Sequence, residues 1–187
     1  MSDATAITTL EAVYEQLSVE GSTDDTLIQN LIDRYTDMFE KYCGVDSFLV
    51  ADYTEYTDGN GSVHMFVKNN PVNSITQIAV DSDWVWGADT TATASDYRIV
   101  GDRYIAYKTG FASGLQNVKI QYNAGWSVIP EDLEQALLME VVRMYIRRKD
   151  PDVEIKTLTD GSTHLTPSGL MPSTKQILSK YMRLRAV

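Results

Sequence analysis

The fold is decided by residues 130–149, which read PEDLEQALLMEVVRMYIRRK. Pro130 suits the first position of a helix, and the acids that follow it favour the same end electrostatically. The basic residues at 147–149 favour the other end of the helix. Apolar side chains between these ends cover more than one stripe, so we expect this helix to be packed on more than one side.

Two further helices precede this one. Thr8 and Glu11 have capping-box spacing, which predicts a helix over residues 9–18. Apolar residues at helical spacing predict a second helix over residues 24–43. We expect the two to form a hairpin against one side of helix 130–149, leaving another side for a neighbouring copy of the chain. The residues predicted for that subunit interface are Leu138, Val142, Tyr145 and Ile146.

The middle of the chain has the period of β-strands. From about residue 47 to residue 126, strand-favouring residues alternate with turn signals, which predicts an inserted antiparallel β-sheet module. Residues 58–61 (DGNG) predict a hairpin turn, and Gly101 with Asp102 predicts another. Residues 81–95, which include Trp84 and Trp86, read as a loop. The predicted fold class is therefore α+β, with a helical bundle and an inserted sheet.

The C-terminal part has two sections. Residues 150–171 are polar and rich in turn formers, which predicts a flexible linker. Residues 172–187 predict a tail helix with one apolar side. The expected organisation is a core over residues 1–149, then the linker, then the tail.

Charge is distributed unevenly. The net charge is −10, and residues 1–60 hold 13 acids and 2 bases, which argues against a protein whose main role is to grip nucleic-acid phosphates. The last 16 residues carry four basic side chains and no acidic one. This tail is either a segment that seeks an acidic partner or a solvated helix face, and the charge pattern alone leaves both open.

No catalytic constellation is recognisable in the sequence, and we expect no catalytic, cofactor-binding or metal site. His64 and His164 are predicted to be surface residues, and Cys43 a small core residue. No stretch is long and apolar enough for a membrane span, and the first residues lack a secretory pattern, so we expect a cytoplasmic location. The aromatic residues of the β region are expected in a core or subunit interface, with a small-ligand platform as the alternative.

Several short motifs occur in a characteristic order. They are LEAV at 10–13, DDTLI at 24–28, NPVNSI at 70–75, YNAGW at 122–126 before PEDLEQA at 130–136, and LMP at 170–172 before ILSKY at 177–181. This order resembles the head–tail connector, or adaptor, family of long-tailed bacteriophages and gene transfer agents. The resemblance covers nearly the whole chain.

The resemblance implies a non-enzymatic structural protein of the virion neck, made in the host cytoplasm. It implies a ring, typically twelve-fold, beneath the portal protein, which extends the channel through which DNA passes without specific binding. The ring would present a platform for the stopper or tail-completion protein. The alternatives are that the chain is itself a stopper or tail-completion protein, or a small ligand-binding module that uses the aromatic β region. The residues predicted to attach the ring to the portal are Ile177, Leu178, Lys180, Tyr181, Arg183 and Arg185.

Overall fold

The computed structural model describes residues 7–18, 23–148, 155–157, 163–165 and 169–182. The described helices and antiparallel sheets confirm the α+β class. The described residues divide into a helical unit, residues 7–43 and 129–182, and a β unit, residues 44–128. The helices are α1 (Leu10–Leu17), α2 (Asp25–Cys43), α3 (Glu131–Arg147) and α4 (Pro172–Leu178). The strands are β1 (Ala51–Gly59), β2 (His64–Phe66), β3 (Val72–Val80), β4 (Tyr97–Val100), β5 (Tyr104–Tyr107), β6 (Gly114–Ala124), β7 (Ile155–Thr157) and β8 (Thr163–Leu165).

Helix α3 is the central element of the helical unit, because α1, α2 and α4 all pack against it. The first helix is capped by Thr9, whose hydroxyl accepts the backbone N–H of Ala12 at 3.3 Å, and not by Thr8 as the spacing predicted. Thr8 is buried and its hydroxyl donates to a carboxylate oxygen of Glu134 at 3.2 Å. The N-cap is therefore Thr9, one residue later than predicted, because Thr8 contributes to the contact between α1 and α3.

The core of the helical unit lies between these helices. Fully buried side chains come from α2, α3 and α4 and include Phe39, Leu137 and Leu178. Cys43 ends α2 inside this core, where its thiol donates to the carbonyl oxygen of Leu178 at 3.5 Å. Burial raises the pKa of the Cys43 thiol to about 12, so the group stays protonated at neutral pH. The prediction of Cys43 as a small core residue is confirmed.

The β unit contains two three-stranded antiparallel sheets, with strand orders β1-β6-β3 and β2-β5-β4. Strand β6 is the centre of the first sheet, and its alternate residues Ile120 and Tyr122 are buried. Strand β5 is the centre of the second sheet, where Ile105 is fully buried. These inward faces belong to one apolar core, in which Phe111 is also fully buried.

The hairpin predicted at residues 58–61 is wrong, because β1 and β2 belong to different sheets. Gly59 pairs with Gly114 of β6, and a Cβ atom on Gly59 would lie 1.8 Å from the carbonyl oxygen of Ala112. The glycine is thus required by a close backbone approach and not by a two-residue turn. The hairpin at Gly101 and Asp102 is confirmed: both residues have φ of 58°, and they join β4 to β5.

The C-terminal part differs from the sequence prediction in two places. Within the predicted linker, β7 and β8 form an antiparallel pair, while most other linker residues lie outside the described ranges and their flexibility stays a prediction. Helix α4 ends at Leu178 and not at residue 187. Residues 179–182 are turns, with the N–H of Lys180 donating to the carbonyl of Ile177 at 3.0 Å. Residues 183–187 lie outside the described part of the chain.

Candidate assembly surfaces

One face of helix α3 carries exposed apolar side chains. Met139 is 43% exposed and Ile146 is 61% exposed, and Val142 between them is half-buried. The three residues have i, i+3 and i+7 spacing, so they lie along one side of the helix. We call Met139, Val142 and Ile146 the α3 stripe. A stripe of this kind on an otherwise packed helix is a candidate contact surface.

Two of the four residues predicted for the subunit interface make their contacts within the helical unit. Leu138 is buried. The Tyr145 hydroxyl donates to Asp24, and the guanidinium of Arg148 lies 3.6 Å from the centre of the Tyr145 ring. Val142 and Ile146 lie in the α3 stripe, and Met139 is the member that the sequence reasoning missed. Its helical spacing from Val142 and Ile146 was the available signal.

A buried ion pair fixes the chain just before α4. Glu140 is 0% exposed, and its carboxylate accepts hydrogen bonds from Arg143 Nη2 at 2.6 Å and from the backbone N–H of Met171 at 2.7 Å. Arg143 also donates to the carbonyl oxygen of Gly169 at 2.7 Å. Because the charged groups are paired and hydrogen-bonded, their burial is tolerated. The i, i+3 spacing of Glu140 and Arg143 was the only sequence signal for this network.

The residues predicted to contact the portal are placed as follows. Leu178 is fully buried in the helical unit, and Ile177 is half-buried. Lys180 Nζ lies 3.0 Å from a carboxylate oxygen of Asp132, and the Tyr181 hydroxyl donates to the same carboxylate. The hydrogen bond from Tyr181, followed by the contribution of Lys180, lowers the pKa of Asp132. The last two predicted residues, Arg183 and Arg185, lie outside the described residues.

An aromatic cluster forms an open depression in the β unit. Trp86 and Tyr56 have ring centres 5.4 Å apart, and Trp84 donates its indole N–H to the carbonyl oxygen of Leu115 at 3.2 Å. The depression has a volume of about 440 Å³ and is completed by Gln116. Trp84 is 56% exposed and Leu115 is 69% exposed. Trp84 thus lies at the surface of the β unit and not in its core, so of the predicted core or subunit interface only the interface remains for it, beside the alternative of a ligand platform.

The loop that carries both tryptophans is held by one carboxylate. Asp81 is buried and accepts backbone N–H groups from Asp83 at 2.9 Å, Val85 at 3.0 Å and Trp86 at 2.8 Å. These hydrogen bonds lower the pKa of Asp81, and the bond from Asp83 contributes most. Trp84 and Trp86 have φ of 59° and 58°, a left-handed conformation that non-glycine residues rarely adopt. Backbone strain of this kind persists where the surroundings over-determine it, and it concentrates at functional sites.

The described residues contain no cluster of three or more His, Cys, Asp or Glu side chains that could hold a metal ion. Among the same residues, no helix is long and apolar enough to cross a membrane. His64 is exposed on β2, as predicted, while the side chain of His164 lies outside what the structure describes. The features that stand out in each unit are thus surfaces for contact: the α3 stripe and the aromatic depression.

The helical unit carries an apolar stripe, and the β unit inserted into it carries an aromatic surface. These are features of an assembly protein. The chain belongs to the head completion protein family, whose model matches residues 6–184. Membership makes it a structural protein of the virion and not an enzyme. No curated protein matches the chain.

Solved structures share the fold. The chain is 16% identical to a chain in the neck of an empty GTA particle computed with C6 symmetry, with a TM-score of 0.61. It is 19% identical to a chain in the virion of the native gene transfer agent (GTA) particle, with a TM-score of 0.60. A chain in the neck of the native GTA particle computed with C12 symmetry is 18% identical, with a TM-score of 0.57. Each match covers 100% of this chain and 94% of the other. Together with the family, this shared fold confirms the resemblance to connector proteins.

Proposed function

We propose that the protein is a head–tail connector, or adaptor, of a virion neck. Copies of the chain form a ring, typically twelve-fold, beneath the portal protein. The ring extends the channel for DNA, which passes without sequence-specific binding, and it presents a platform for the stopper or tail-completion protein. The observation that carries this proposal is the family match over residues 6–184, which includes both the helical unit and the β unit. The fold shared end to end with chains of GTA necks supports it.

The α3 stripe is the proposed contact between neighbouring copies. A closed ring needs a head-to-tail interface, in which two different patches of the same chain meet. A few residues near the more apolar centre of such a patch contribute most of the binding energy. Ile146, the most exposed member of the stripe, is therefore the residue whose change should affect ring formation most.

The proposed attachment to the portal is the C-terminal end of the chain. Lys180 and Tyr181 already bind Asp132, and Leu178 belongs to the core of the helical unit. These contacts hold α4 in place as the base of the attachment. Residues 183–187, with their two arginines and no acidic side chain, supply the basic segment that binds the portal.

Two measurements test the function. Light scattering over a concentration series, followed by negative-stain imaging, reports whether the chain forms closed rings and how many copies they contain. Co-purification with the portal protein of the same particle then compares the full chain with a chain truncated after Met182. This truncation spares α4, so the helical unit stays folded, and we expect it to lose portal binding.

The outcomes separate the candidate roles. Rings that bind the portal support the adaptor assignment, and loss of binding on truncation supports the C-terminal attachment. Portal binding that survives truncation after Met182 excludes residues 183–187 as the attachment. A chain that binds a preformed adaptor ring but never the portal is a stopper or tail-completion protein.

A further inference from the structure

The sheet β2-β5-β4 has one buried face and one exposed face. Met65 and Ile105 point into the core of the β unit and are buried. Residues opposite each other in an antiparallel register share a face. The exposed face therefore has two cross-strand rows. One row is Phe66, Tyr104 and Val100, and the other is His64, Ala106 and Arg98.

The first feature of this face is an aromatic cluster. The Phe66 and Tyr104 rings have centres 5.6 Å apart, and the His64 ring meets the Tyr104 ring edge-on at 5.2 Å. Phe66 is 38% exposed, and His64 is also exposed. Aromatic faces that remain accessible on a sheet are platforms on which planar groups stack.

The second feature is a hollow beside the aromatic rings. Ala106 occupies the middle of its row, and its small side chain leaves a space between His64 on one strand and Arg98 on the other. This hollow has a volume of about 570 Å³, and Lys108 and Asp96 also line it. Adjacent strands lie about 4.8 Å apart, so His64 and Arg98 are separated by roughly 10 Å across the face.

The third feature is a local excess of positive charge in an acidic chain. Residues 96–108 contain three basic side chains and two acidic ones, so this stretch is net positive within a chain whose net charge is −10. Arg98 has no carboxylate partner among the described residues. Lys108 lies 3.2 Å from Asp96, but the Lys108 side chain is 68% exposed, so solvent screens this pair and leaves the ammonium accessible.

We infer that this exposed face binds single-stranded nucleic acid. Bases stack on Tyr104 and Phe66, while Arg98 and Lys108 bind the phosphates beside the hollow. Single-strand-binding surfaces combine these two elements, since cations follow the backbone and aromatic rings accept any base. A duplex keeps its base faces stacked within the helix, so it would use the cations alone. This activity is additional to the proposed connector role and does not depend on ring formation.

The test is fluorescence anisotropy with the full chain and labelled oligothymidylate of about 16 nucleotides, at low salt. Oligouridylate of the same length and a duplex of the same length are measured in parallel. We expect both single strands to bind more tightly than the duplex, and any preference between them identifies DNA or RNA as the natural ligand. Tyr104→Ala should weaken binding about tenfold, because one stacking contact is lost.

Matched variants separate stacking from charge. Tyr104→Phe keeps the ring and should bind as the unchanged chain does. Arg98→Ala should lower the slope of log affinity against log salt by about 0.7, while Lys41→Ala, which removes an exposed base of the helical unit, should leave binding unchanged. Circular dichroism checks that each variant is folded.

Two results would overturn the inference. One is absence of binding to either single strand at low salt. The other is equal binding of duplex and single strand that Tyr104→Ala does not change, since this would mean that charge alone attracts the ligand. Neither result bears on whether the chain forms rings, so failure here is distinguishable from failure of the connector proposal.

Discussion

Glu140 makes the most deeply buried polar contacts of helix α3. Glu140→Ala removes the carboxylate that pairs with Arg143 and accepts the N–H of Met171. Arg143 then stays largely buried without its partner, a situation that destabilises folded proteins by about 3–5 kcal/mol. We expect the free energy of unfolding, measured by urea denaturation, to fall by about this amount.

The control for Glu140 lies on the same helix. Glu131 is exposed in the first turn of α3, so Glu131→Ala should change the free energy of unfolding by only about 0.5 kcal/mol. Equal effects of the two substitutions would show that the buried network has no special role in stability.

Asp81 makes the tryptophan loop sensitive to acid. Its pKa in the folded chain lies below the ordinary value of 3.8, because three backbone N–H groups bind the carboxylate form. The resulting stability is present above the unfolded pKa and is lost as pH falls through the lower folded pKa. We expect the fluorescence of Trp84 and Trp86 to change as pH falls below about 4.

The fluorescence experiment uses a Trp126→Phe background so that only the loop tryptophans report. Asp81→Asn should abolish the acid transition, because the residue no longer ionises. Asp83→Asn, a neighbouring exposed position, should leave the transition in place. An unchanged transition in Asp81→Asn would assign the acid response to another carboxylate.

At the scale of elements, two nearby glycines have different roles. A Cβ atom on Gly59 would lie 1.8 Å from the Ala112 carbonyl oxygen, whereas a Cβ atom on Gly61 would meet nothing within 4 Å. Gly59→Ala must therefore displace backbone where β1 meets β6, and we expect it to lower the free energy of unfolding by at least about 2 kcal/mol. Gly61→Ala should cost only about 1 kcal/mol, since its φ of 71° is strained for alanine but the space is open. Chemical denaturation of both variants measures the difference, and a larger loss for Gly61→Ala would contradict the close-approach argument.

The same pair of glycines shows what the sequence could predict. Local signals located α1, α2 and α3 to within about two residues at each end, because capping and apolar spacing act over one or two turns. The DGNG stretch was misread because a glycine needed for a tight turn and a glycine needed for a close approach look alike in a sequence. Only the pairing of Gly59 with Gly114, 55 positions later in the chain, distinguishes them.

The candidate surfaces were predictable to a similar degree. The excess apolar surface of α3 was visible from its spacing, but which residues stay exposed depends on where α1, α2 and α4 pack. Tyr145 is an example, because its bond to Asp24 joins residues far apart in the sequence. The surface position of Trp84 depends likewise on the three bonds that Asp81 makes within its loop.

At the scale of the whole molecule, the α3 stripe should control assembly. Ile146→Glu places a charge at the most exposed apolar position of the stripe, and a charge buried in an interface without a partner opposes association. We expect smaller particles by light scattering, or fewer copies bound per portal if the portal templates the ring. The melting temperature should not fall, because the side chain is 61% exposed in the single chain.

The control for this substitution is Val128→Glu. Val128 is 80% exposed and lies outside α3, so the same change of chemistry is made away from the stripe. Rings that form normally with Ile146→Glu would exclude the α3 stripe as the contact between copies. If Val128→Glu abolishes rings and Ile146→Glu does not, the contact between copies belongs to the β unit.

The insertion of the β unit between α2 and α3 has a consequence for synthesis on the ribosome. Helix α2 ends at Cys43, and its main packing partner α3 begins only at Glu131. At usual elongation rates, about 5 to 20 seconds pass between the synthesis of α2 and the synthesis of α3. The apolar side of α2 lacks its partner during this time. Joining helices so far apart in sequence also carries a loop-closure entropy of about 4 kcal/mol, which falls when the intervening β unit has already folded. The nascent chain is thus most exposed to aggregation before α3 emerges, and prior folding of the β unit helps α3 to join α2 once α3 has been made.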